Sequence, residues 1–178
     1  MPMHNEHLEF AARQLRRARA FEKTALRVIE HDPPRQKSLH APTLHLIAQG
    51  YELVMKSVLS MQSISERNQR QIGHNLKALW EREDMNKFRD FAMKAAIECC
   101  QEAQKSGKYT GGFPSEPDNE FVRQILMLSD LHSRESDFSL RYPNATPTLA
   151  ALPDPLRCVL GKLISYLDTE FGAADTSQ

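Results

Sequence analysis

Apolar residues recur at helical spacing along almost the whole chain, and no stretch alternates in the manner of a strand. Over residues 5–31, Leu8, Ala11, Ala12, Leu15, Ala18, Phe21, Ala25, Val28 and Ile29 trace one face. Arg16, Arg17, Arg19, Glu22 and Lys23 fall largely on the solvated side. Asp32-Pro33-Pro34 ends this helix, because proline cannot continue it and biases the preceding residue away from α. A second helix is predicted over 40–61, with Pro42 tolerated in its first turn. Its inward face is Leu44, Ile47, Ala48, Tyr51, Val54, Met55, Val58 and Leu59. A polar turn follows, and a third helix is predicted from Gly73 to about Lys105, with at most a kink at 84–86. Leu76, Leu79, Trp80, Phe88, Phe91, Ala92, Ala95 and Ala96 face its core side.

The stretch SGKYTGGFPSEPD at 106–118 is dense in Gly, Pro and Ser and is predicted to be a loop. It lacks the earlier glycine and the hydroxyl residue after Gly-Lys that a P-loop needs. A fourth helix is predicted over 117–133, opened by acidic residues that suit its dipole. An irregular connection at 134–153 leads to a last helix over 154–171, built on Leu156, Val159, Leu160, Leu163, Ile164 and Leu167. Short links between amphipathic helices predict an all-α fold, an up-and-down bundle of four to five helices. The bundle is expected to form one domain over 1–172, with a polar tail at 173–178. The connection at 134–153 is long for so small a bundle, and long loops are often functional.

The 178 residues carry 23 basic and 23 acidic side chains, so no global field draws the protein toward nucleic acid or anionic membrane. An RNA-binding surface would have to be a local patch, and Arg13, Arg16, Arg17 and Arg19 come nearest to one. Residues 1–10 show no apolar signal region, and no stretch is apolar enough to span a membrane, so a cytoplasmic protein is expected. Cys99, Cys100 and Cys158 have no C-x-x-C spacing and are read as reduced thiols, the first two as small core residues.

The informative stretch for chemistry is 41–76. His45, Gln49, Glu52 and Lys56 share one face of the second helix, since steps of 4, 7 and 11 return close to the starting direction. The plain alternative is a solvated face in which Glu52 pairs with Lys56 at i,i+4, worth about 0.3–0.5 kcal/mol. His74 follows Gly73 at a predicted helix start, with Asn75 beside it as a cap. Placed near Glu52 and Lys56 it would be a general base or acid; otherwise it packs the turn against the second helix.

The string A-x-x-L-x-L-I-A-Q-G-Y-E-L-x-x-K-S-x-L, followed by a polar turn and G-H-N-L-x-x-L, resembles the HEPN superfamily of small helical bundles. The likeness is specific over 41–79 and extends weakly to Arg141-Tyr142-Pro143, about half the chain. It implies a bundle that commonly dimerises. Many active members of the superfamily are metal-independent endoribonucleases with an R-x4–6-H motif and a site assembled across the dimer. Others are catalytically silent binding modules, paired with nucleotidyltransferases or built into antiviral and toxin–antitoxin systems. This chain departs from the ribonuclease pattern. Arg67 and His74 have a permitted spacing but lie early, whereas the later half offers His132 before Arg134 and an Arg123 too far upstream.

Cleavage of RNA by its own 2′-hydroxyl needs a base, a cation for the phosphate and a proton donor. A ribonuclease reading therefore takes His74, Glu52 and Arg141 as catalytic residues. Arg67, Arg70, Lys56, His45, Gln49 and Tyr142 would bind the ligand. Each has a plain alternative: Arg67 and Arg70 as solvated turn residues, Arg141 as an ion-pair partner that pins its loop to Glu52. No metal site or cofactor is predicted. His4 and His7 lie near the N-terminus, and Asp130 and His132 lack a third ligand along the chain. There is no G-x-S-x-G nucleophile motif. The reading favoured is a HEPN-like binding or interaction module without catalysis, acting as a homodimer. RNA or a nucleotide is its expected ligand and a nucleotidyltransferase its expected partner. The alternative is the metal-independent endoribonuclease.

Overall fold

The computed structural model describes residues 3–31, 39–107, 112–132 and 151–175. Seven α-helices are present among them: α1 Met3–His31, α2 His40–Met61, α3 Glu66–Ile72, α4 Leu76–Trp80, α5 Asn86–Ser106, α6 Pro117–His132 and α7 Pro153–Asp175. The five long ones form an all-α bundle, and the described residues contain no strand. Helix α7 continues to Asp175, into the expected polar tail.

Helix α1 lies along α2 because its contact seam is made of small residues. Ala11, Ala18 and Ala25 recur every seven positions and are fully buried, so the two backbones approach closely. The same closeness lets Ser57 Oγ donate to the carbonyl of Ala11 at 3.1 Å. Helix α2 is the central element. Leu44, Ile47, Tyr51, Val54, Met55 and Leu59 are buried, and so are Glu52, Ser57 and Ser60 on its polar positions. Helix α7 packs onto α2 at Gly50, where a Cβ would stand 2.5 Å from Leu160 Cδ2. Tyr51, also buried, donates its hydroxyl to the Leu156 carbonyl at 2.7 Å and ties the first turn of α7 to α2.

Two stretches differ from the sequence reading. The polar turn after α2 contains helix α3, held by Gln69, which is 2% exposed. Gln69 donates to Ser60 Oγ at 2.7 Å and to the Ile64 carbonyl at 2.9 Å, while its own carbonyl accepts from Gln14 at 3.0 Å. No apolar periodicity announces this turn of helix, because a buried amide network anchors it. The long helix expected from Gly73 to Lys105 is broken after Trp80. Arg82 is extended (φ −63°, ψ 141°), and its guanidinium is clamped on Asp84 at 2.5 Å. Arg89, from the first turn of α5, donates to the carbonyls of Trp80 and Arg82, the second of which also accepts from Met85 N–H. These bonds satisfy the backbone at the break between α4 and α5.

Glu22, expected on the solvated side of α1, is 9% exposed and accepts from Arg157 of α7 at 3.1 Å. The reading of the cysteines as reduced thiols is also corrected. Cys99 of α5 and Cys158 of α7 are joined as a disulfide with Cα atoms 6.2 Å apart, leaving Cys100 free. The two residues are separated by 59 positions, so local spacing carried no sign of the pair.

Candidate functional site

Glu52 sits in the middle of α2, 4% exposed, where α2 meets the start of α4 and the end of α6. Three side chains from three parts of the chain converge on it. Lys56, one turn along α2, donates from Nζ to Oε1 at 2.7 Å. His74 brings Nδ1 to 2.9 Å from Oε2 and 3.1 Å from Oε1. His132, the last residue of α6, holds Nε2 3.4 Å from Oε2.

Local structure explains how each arrives. Gly73 closes α3 with φ 67° and ψ −134°, a conformation that L side chains rarely adopt. The sharp turn releases His74 toward α2. Asn75 then caps α4, its side chain accepting from Ala78 N–H at 2.9 Å. The same α4 terminus is docked onto α6, because Lys77 N–H donates to Ser129 Oγ at 2.9 Å. Ser129 lies one turn before His132, so this bond also sets the height at which His132 meets Glu52.

The cluster is graded from inside to outside. The His132 side chain is 1% exposed, Glu52 5%, Lys56 13% and His74 51%. His132 also lies 3.4 Å from Gln49 Nε2, with the His45 ring centroid 5.4 Å away and the His74 ring edge-on at 6.0 Å. Burial alone would push the Glu52 carboxyl up. Hydrogen bonds from His132, Lys56 and His74, with the Lys56 charge, more than reverse this and bring it down to about 2. Glu52 is therefore a carboxylate at neutral pH, and it is held by donors on both oxygens.

The stripe of His45, Gln49, Glu52 and Lys56 is thus not a solvated face: its members are buried or half-buried. His74 joins it, one of the two placements the sequence left open. Arg67 and Arg70 do not. They lie on α3, line a surface groove with Glu66 and Gln71, and Arg70 is turned onto Glu66 at 2.6 Å. Arg141 and Tyr142 lie outside the described residues. The residue that sequence reasoning missed is His132. Along the chain it has only Asp130 near it; its partners Glu52 and Gln49 are 80 and 83 positions away. Its one sequence signal is a histidine at the apolar end of a helix.

The cluster offers an ionised carboxylate that orients one half-exposed imidazole and one buried one. Such a set can hold a polar group, orient a base, or ligate a cation. The chain matches no family model, no curated protein and no solved structure.

Proposed function

We propose that this chain is a HEPN-like helical interaction module without catalysis, acting as a homodimer. The observation that carries the reading is the inward closure of the charged cluster. Lys56, His74 and His132 all face one buried carboxylate. A site that cleaves phosphodiesters needs its cation aimed at the scissile phosphate. Here Lys56 is engaged with Glu52, and among the described residues neither Arg67 nor Arg70 hydrogen-bonds to the cluster. The residues that carry the HEPN resemblance, 41–79, are also those that build most of this closure, which joins α2, α4 and α6. Within that reading the ligand is RNA or a nucleotide and the partner a nucleotidyltransferase, in toxin–antitoxin or antiviral defence. Those particulars rest on the resemblance.

One observation favours the metal-independent endoribonuclease as a second reading. An ionised Glu52 holding His74 by Nδ1 places the proton there and leaves Nε2 of a half-exposed ring as a base. One assay decides between them. Purified protein and His74→Ala are incubated with structured and single-stranded RNA, with EDTA and separately with added divalent metal. Intact RNA throughout supports the module. Cleavage by the native protein that His74→Ala abolishes overturns it.

A further inference from the structure

We propose that Glu52, His74 and His132 form a zinc-binding site. The three side chains offer two imidazole nitrogens and one carboxylate oxygen, all within 4.8 Å of one another. Donor atoms around tetrahedral zinc, at about 2.0–2.1 Å from the metal, lie roughly 3.3 Å apart. The two histidine nitrogens stand 2.9 and 3.4 Å from the same oxygen, Glu52 Oε2. Closing on a cation therefore needs shifts of only a few tenths of an ångström at these two edges.

The hydrogen bonding around His132 is compatible with a cation. Its Nε2 faces two groups at 3.4 Å, the Gln49 amide nitrogen and the Glu52 carboxylate. An unprotonated Nε2 accepts from Gln49 but turns its lone pair toward an anion. A protonated one donates to Glu52 but meets the N–H of Gln49. A cation between His132 and Glu52 is accommodated once Gln49 is turned over about its terminal bond, because His132, Glu52 and the Gln49 oxygen then all present lone pairs to it.

The donor set selects the metal. Two imidazoles and one carboxylate suit zinc and are poor for magnesium or calcium, which favour all-oxygen shells. Glu52 and His132 come from the packed helices α2 and α6. His74 stands on a connection with its ring half exposed, which provides the entry path and room for water as a fourth ligand. Lys56 stays on the other carboxylate oxygen, Oε1. There it orients the ligand as a second-sphere partner, while its charge opposes the metal and lowers affinity.

The test is zinc binding by the full chain, stripped with EDTA, dialysed and titrated with zinc under calorimetry. Visible absorption of the cobalt-loaded protein reports the geometry. We expect one zinc per chain and tetrahedral cobalt bands. His74→Ala and His132→Ala should each weaken binding by roughly 100-fold or more, since loss of an outer partner alone costs 10–100-fold. Lys56→Met should tighten it, a change that a zinc site elsewhere, such as His4 and His7, would not register. Circular dichroism checks that each variant is folded, and His74→Ala, at a half-exposed position, serves if His132→Ala is not. No zinc uptake, or uptake unchanged in His74→Ala, overturns the proposal. Neither result bears on the RNA assay, which is read with the chelator present as well as with metal.

Discussion

Replacing Glu52 by glutamine keeps the side chain's shape and removes its charge, and it isolates what the buried carboxylate does for the bundle. Glu52 is 4% exposed and receives Lys56, His74 and His132. Burial works against its ionisation, yet those partners lower its pKa from the ordinary 4.5 to about 2. At about 1.4 kcal/mol per pH unit, the folded state favours the charged form by about 3 kcal/mol relative to the unfolded chain. The substitution also leaves the Lys56 ammonium, 13% exposed, facing a neutral amide. Urea unfolding at neutral pH, followed by circular dichroism with EDTA present, should show Glu52→Gln less stable by about 3 kcal/mol.

The pH dependence has a definite sign. Because the folded pKa is depressed, the contribution is fully present above about 4.5 and is lost as pH falls toward about 2. The gap between the native protein and Glu52→Gln should therefore close across that window. A difference below about 0.5 kcal/mol, the scatter of ordinary surface changes, would refute the reasoning. So would a gap that does not change with acid.

Two further outcomes follow from the packing. Gly50→Ala places a methyl 2.5 Å from Leu160 Cδ2, so this fully buried side chain must shift to admit it. Overpacking of this kind should cost about 1–3 kcal/mol in thermal or urea unfolding, and unchanged stability would mean that α7 does not sit so close to α2. The Cys99–Cys158 disulfide should leave one titratable thiol per denatured, unreduced chain, that of Cys100. Bridging 59 positions, it should stabilise by up to about 4 kcal/mol; three thiols before reduction would remove the bond from the account.

The long helices were legible because their signal is local. Apolar residues at helical spacing, such as Leu156 through Leu167, bury one stripe whatever the stripe packs against, so periodicity alone places α1, α2, α6 and α7. The Glu52–Lys56 pair was legible for the same reason, since one turn of helix sets its geometry. His74 could be suggested by its place beside Gly73, but its contact with Glu52 could not be deduced from spacing alone. What the sequence did not announce depended on partners distant in the chain. Gln69 makes α3 a helix through Gln14 and Ser60, 55 and 9 positions away. Arg89 ends α4 by reaching back to carbonyls of the preceding turn. His132 enters the cluster because α6 packs against α2, α4 and α5, with Ser129 accepting from Lys77 N–H.

The sequence by itself thus determined an all-α bundle and the polar stripe on α2. Both are properties of rotation per residue and of which side chains resist water. Only the tertiary structure decided that this stripe is buried and shares its carboxylate with two histidines from elsewhere in the chain. The physical reason is that an ion in the interior must find its partners wherever packing brings them, and packing joins residues without regard to their order along the chain.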